Sequence, residues 1–96
     1  MQFIAICRDK DGAIETRLAN RSAHLEWVGA NRDIILGGGP FLTDDGATMI
    51  GSLFLLEAPD RAAIDALLEH DPYRKAGLFA SVEIRPWKWV VGGPTG

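Results

Sequence analysis

Residues 70–79, His70-Asp71-Pro72-Tyr73-Arg74-Lys75-Ala76-Gly77-Leu78-Phe79, separate two apolar-periodic segments in the second half of the chain. Before them, Ala63, Ile64, Leu67 and Leu68 recur at helical spacing behind Asp60, a good N-cap that follows Ala58-Pro59. Pro72 lacks an amide hydrogen and disfavours αR geometry at Asp71, so the helix is expected to stop at Asp71-Pro72. Gly77 then permits a reversal into a strand from Phe79 to Val91, with Val82 and Ile84 on one face, Glu83 and Arg85 on the other, and Pro86 marking an edge or a bulge. By local chemistry the stretch is either a helix terminator with a basic, solvated turn or, if Asp71 has a partner, part of a site.

The first half carries the matching elements. Phe3 to Cys7 is a short, continuously apolar strand that ends in the charged turn Arg8-Asp9-Lys10-Asp11-Gly12. Arg17 to Arg32 has helical spacing, with Leu18, Ala23, Trp27 and Ala30 on one broad face and Asn20 or Ser22 available as N-cap. A second strand starts at Ile34-Ile35-Leu36 and is expected to fail at Gly37-Gly38-Gly39-Pro40. Thr43-Asp44-Asp45-Gly46 reads as a hairpin turn into a third strand, Met49 to Leu56, interrupted by Gly51-Ser52.

The order is βαββαβ, which gives an α+β, ferredoxin-like fold: a four-stranded antiparallel sheet with two helices on one face. Phe3 to Cys7 and Leu53 to Leu56 are apolar at consecutive positions, so both sheet faces need cover, yet the helices cover one. A second copy packed sheet against sheet supplies that cover most simply, and Trp87 and Trp89 add aromatic surface in the same sense, so a homodimer through the sheet is expected.

With 96 residues, 47% of them apolar, the chain suits one domain, residues 1–91, followed by a loose tail at 92–96. A formal charge of −3, with Lys and Arg scattered, argues against nucleic acid as a partner. The single cysteine, Cys7, reads as a buried apolar residue in a reducing compartment. No signal-like or membrane-length run is present, so a cytoplasmic location and no membrane partner are expected.

Two histidines, His24 and His70, without a convergent third ligand make no metal site. Gly37-Gly38-Gly39 resembles a phosphate loop in composition only, because it leads through Pro40 to a hairpin rather than to a helix N-terminus. His24 falls in the first turns of the expected helix, where the dipole favours the neutral imidazole that a general base needs; the alternative is a histidine packed beside Trp27 and Val28. Asp71 is the carboxylate that would orient it, although roughly parallel helices do not obviously bring the two together.

Arg21-x-x-His24-Leu25, Gly39-Pro40, Gly51-Ser52, Asp71-Pro72-Tyr73 with Ala76-Gly77-Leu78, and Ile84-Arg85-Pro86-Trp87 together resemble the YciI-like (YCII-related) family in order and spacing, over nearly the whole chain. The resemblance implies a dimeric α+β barrel and a catalytic His–Asp dyad at His24 and Asp71. It also implies substrate contacts from the other motif residues, Arg21, Gly39, Pro40, Ser52 and Tyr73. Relatives in that family include a dehydrochlorinase of a chlorinated hydroxyhydroquinone. Here the link between Gly39-Pro40 and Gly51-Ser52 is shorter than in the family pattern, which bears on the pocket mouth.

The expected function is a cofactor-independent enzyme that transfers protons on a small cyclic or aromatic substrate, in the manner of a lyase or isomerase. Ser52 or the Gly38-Gly39 amides would stabilise a developing enolate oxygen. The alternative is a non-catalytic module that binds a small metabolite or serves dimerisation. An enzyme needs His24 and Asp71 within hydrogen-bond reach beside an open pocket.

Overall fold

The computed structural model describes residues 1–93. The elements run β1 (Gln2–Asp9), α1 (Ile14–Ala30), β2 (Ile35–Leu42), β3 (Met49–Glu57), α2 (Arg61–Leu68), α3 (Pro72–Lys75) and β4 (Phe79–Trp87). The sheet order is β2-β3-β1-β4, and each neighbouring pair is antiparallel. β1 and β2, joined through α1, are therefore parallel with β3 between them, which is the ferredoxin-like arrangement. Most of the expected tail, from Pro94 on, lies outside the described residues. Among those described, no helix is long and apolar enough to cross a membrane.

Strand alternation sorts the side chains. Phe3, Ala5 and Cys7 of β1, Phe54 and Leu56 of β3, Ile35 of β2 and Ile84 of β4 face the helices and close on Ile64, Leu67 and Leu68 of α2. Each fully buried large apolar side chain contributes roughly 1.5–3 kcal/mol. Burial pushes the Cys7 thiol up to about 12, and the Asp71 carboxylate adds to that shift, so Cys7 is a protonated, inert core residue as its apolar setting suggested. The opposite face behaves differently. Ile4, Ile6 and Leu55 are half-buried, while Leu53 and Trp87 are exposed.

Several element details depart from the sequence expectation, each for a local reason. α1 begins at Ile14 rather than Arg17, because Gly12, at φ 66°, closes the turn and the Arg17 N–H bonds the Ala13 carbonyl. Neither Asn20 nor Ser22 caps it; Asn20 lies within the helix and donates to the Thr16 carbonyl. The inward face is rotated as well: Arg17 and His24 are buried with Trp27 and Val28 beside them, whereas Leu18, Ala23 and Ala30 are exposed.

β2 does not fail at its glycines. Gly37, Gly38 and Gly39 stay in the ladder opposite Leu55, Phe54 and Leu53, since the ladder needs only backbone groups. Gly51-Ser52 likewise leaves β3 unbroken. β4 stops at Trp87 instead of Val91, because its last partner, Gln2, is the first residue of β1. α2 starts at Asp60 as expected, with the carboxylate accepting the Ala63 N–H at 2.9 Å, but it ends at Leu68. Asp71-Pro72 begins a further short helix, and Asp71 and Tyr73 are buried rather than in a solvated turn.

At Gly51 an added Cβ would sit 2.5 Å from the Cys7 carbonyl, whereas at Gly37 nothing lies within 4 Å. Gly51→Ala is expected to destabilise by roughly 1–3 kcal/mol and Gly37→Ala to be neutral within about 1 kcal/mol, read as urea midpoints.

Candidate active site

The site begins with a capping interaction. Asp71 is the N-cap of α3, and its Oδ1 accepts the Tyr73 backbone N–H at 3.0 Å, as a carboxylate before a proline at the first helical position does well. The same Oδ1 lies 2.8 Å from His24 Nδ1, with the carboxylate 1% and the imidazole 9% exposed. A carboxylate only accepts, so Nδ1 carries the proton and donates it. In the neutral ring the lone pair is then on Nε2, the nitrogen left for the cavity. The oxygen Oδ2 of Asp71 is buried and has no partner among the described residues.

This geometry fixes the tautomer of His24, and the dipole argument made from the sequence does not apply. The earlier start of α1 puts His24 in the helix interior, beyond the terminal turn where the dipole acts. Contact with Asp71 comes where α3, which follows α2, packs back against α1, an approach that two parallel helices alone do not make obvious. His70 is exposed and stands apart.

Aromatic packing holds the imidazole from the side. Tyr73 stacks on it with ring centroids 4.0 Å apart and planes 14° from parallel, while Trp27 and Phe54 lie tilted at 5.7 and 5.8 Å. Burial pushes the Tyr73 hydroxyl up, and the Arg17 charge opposes that shift, so the phenol stays protonated at neutral pH. The Arg17 guanidinium sits 4.6 Å from the Tyr73 ring centroid.

Arg17 is a second organising centre, and the apolar reading of α1 missed it. It donates to Asp9 at 2.7 and 2.8 Å and to Ser52 Oγ at 3.0 Å. Burial works against its charge, but the Asp9 carboxylate outweighs this and the net direction is upward. Because Ser52 Oγ accepts from Arg17, its own hydroxyl proton is left to donate elsewhere.

These groups border a cavity of about 240 Å³ between α1 and the sheet. All the expected contact residues, Arg21, Gly39, Pro40, Ser52 and Tyr73, line it together with His24; Asp71 stands behind the imidazole. Arg17, Val28, Arg32, Ile35, Met49 and Phe54 also line it and were not singled out from the sequence. The signal available was a polar stripe, Arg17, Arg21 and His24 at i, i+4 and i+7. Gly38 and Gly39 belong to an edge strand in a ladder, so only alternate amides there face away from β3. Among the described residues no cluster of three or more His, Cys, Asp or Glu could hold a metal ion.

A family model for the YCII-related domain matches residues 1–88. The chain belongs to the YCII-related family. It is 32% identical over 97 residues to Protein YciI of Escherichia coli O6:H1 (strain CFT073), an alignment spanning 94% of this chain and 99% of that one. Among solved structures it is similar to the 5-chloro-2-hydroxyhydroquinone dehydrochlorinase TftG from Burkholderia phenoliruptrix AC1100, in complex with 2,5-dihydroxybenzoquinone. That match has a TM-score of 0.84 and 34% identity, and covers 92% of this chain and 94% of TftG. A NIPSNAP family protein from Agrobacterium tumefaciens shares the fold, at a TM-score of 0.59 and 17% identity over 99% of this chain and 97% of that chain.

The hydrogen bond assigned to Nδ1 has a spectroscopic consequence. In two-bond proton–nitrogen NMR spectra recorded where the ring is neutral, His24 should show the Nδ1-protonated tautomer. In Asp71→Ala the acceptor at Nδ1 is lost, so that tautomer is no longer fixed and the Nε2-protonated form should appear. Unchanged patterns would mean the two side chains are apart in solution.

Proposed function

We propose that the chain is an enzyme that moves protons on a small cyclic or aromatic molecule, with His24 Nε2 as the acid–base atom and Asp71 as the group that positions it. The observation carrying this reading is the 2.8 Å contact between His24 Nδ1 and Asp71 Oδ1 behind a cavity that His24 lines. A structural histidine needs no open nitrogen; a general base does. The similarity to TftG, whose name records elimination of chloride from a ring substrate, supports the same class of chemistry.

In this reading His24 Nε2 takes a proton from a carbon beside a ring carbonyl. The C–H electron pair moves through the enolate onto the carbonyl oxygen, and the Ser52 hydroxyl, polarised by Arg17, donates to that oxygen. The imidazolium sits against the Asp71 carboxylate while it holds the proton. The enolate then either takes the proton back at a second carbon, which is isomerisation, or collapses with departure of an anion, which is elimination.

The test uses 5-chloro-2-hydroxyhydroquinone, with chloride release as readout, and cyclic ketones in D2O, with deuterium uptake as readout. Turnover or exchange by the wild type should fall by roughly 10²–10⁴-fold in His24→Asn while the circular dichroism stays unchanged. Failure of the wild type in both assays, or a fully active His24→Asn, would overturn the reading.

We further propose that a second copy covers the open sheet face. Ile4, Ile6, Leu53 and Leu55 form a continuous apolar patch there, flanked by Trp87, in a chain this small. Sedimentation at micromolar concentration should give a dimer, and Leu53→Glu a folded monomer; a wild-type monomer would sink it.

A further inference from the structure

The charge around the cavity is out of keeping with the rest of the molecule. The chain carries a net −3, yet three of its ten basic residues, Arg17, Arg21 and Arg32, line this cavity and, among the described residues, no Asp or Glu does. Arg17 is matched by Asp9. Arg32 donates two of its five N–H groups to the Ile35 and Leu36 carbonyls, at 2.9 and 3.2 Å, and among the described residues it has no ion pair. Arg21 makes no ion pair and no side-chain hydrogen bond among the described residues.

Arg21 is exposed on α1, and no pairing among the described residues holds its guanidinium. It stands one helical turn from Arg17, whose own charge Asp9 already meets. It also stands three residues before His24, on the same stripe of α1. Nothing in the packing asks for a guanidinium there, whereas a planar anion in the cavity would meet a free, forked donor beside the imidazole.

Shape limits the rest of the ligand. The volume of about 240 Å³ falls below the roughly 300–1,000 Å³ of sites for drug-sized molecules. Phe54 and the stacked Tyr73 and His24 rings border it together with Val28 and Ile35, which suits a flat, apolar body.

We infer that this cavity selects a single planar ring bearing an anionic oxygen substituent, a carboxylate or an ionised enol, and that Arg21 is the residue that pairs with it. The inference rests on the proton-transfer reading only in supposing that the same ring meets His24. Arg32, with two N–H groups tied to the Ile35 and Leu36 carbonyls, adds to the positive field. Arg21 is thus a binding determinant that takes no part in the proton transfer itself.

The probes are 2,5-dihydroxybenzoate and its neutral, nearly isosteric amide, 2,5-dihydroxybenzamide, titrated calorimetrically at pH 7 and low salt. The wild type should bind the acid at least about tenfold more tightly than the amide, since one charge-assisted pair is at stake. That gap should close to within about threefold in Arg21→Gln, narrow with added salt, and persist in Arg61→Gln, an exposed site on α2 outside the cavity. Equal binding of acid and amide, no binding of either at millimolar concentration, or an undiminished gap in Arg21→Gln would overturn the inference.

His24→Asn separates this inference from the catalytic one. A retained preference for the acid with proton exchange lost supports both readings, and a preference in a wild type that exchanges nothing overturns only the catalytic one. Exchange without any preference overturns only the anion inference.

Discussion

One carboxylate oxygen has two donors, and much of the molecule's order around the cavity follows from that. Asp71 Oδ1 accepts the Tyr73 amide, which starts α3, and faces the His24 ring nitrogen, which ties α3 to the middle of α1. Local and tertiary structure are thereby coupled: the capping bond that makes four residues helical also fixes where the carboxylate points. Tyr73, placed by that helix, returns to stack on the same imidazole. A bond, a cap and a stack over-determine one ring, the kind of rigid support that a site needing a fixed tautomer requires.

Arg17 performs the corresponding task on the other side of the cavity. A buried guanidinium is costly unless its donors are met, and here Asp9, Ser52 and the Tyr73 face meet them. The end of β1, the first turns of α1 and the middle of β3 are thereby held in one register. Its placement also explains why α1 turns a mixed rather than an apolar face to the sheet: the space beneath Arg17 and His24 belongs to the cavity, and the apolar core is displaced toward α2.

Element order was legible in the sequence because each element carries its own periodicity and punctuation, as with Asp60 capping α2 or Gly12 ending the first turn. His24, Asp71 and their companions were legible through motif order, with their association resting on family likeness. What escaped was set by tertiary contact. Arg17 reads as a surface residue until Asp9 and Ser52 are seen around it, and the register of α1 cannot be found by seeking apolar residues on a face that binds polar groups. The glycines of β2 mislead in the opposite sense, since composition says loop while pairing with β3 keeps them extended.

That glycine-bearing strand gives the cavity two walls of unlike character. The α1 wall is held by the Arg17–Asp9 pair and by stacking, so a change there disturbs the His24–Asp71 contact itself. Gly37 and Gly39 also border the cavity, and a side chain at either would meet no atom within 4 Å. Volume can be added on that side while the His24–Asp71 pair stays in place. Selection can thus retailor the outline of the cavity with single-residue steps and leave that pair untouched, a separation of shape from polar framework that lets one small scaffold diversify.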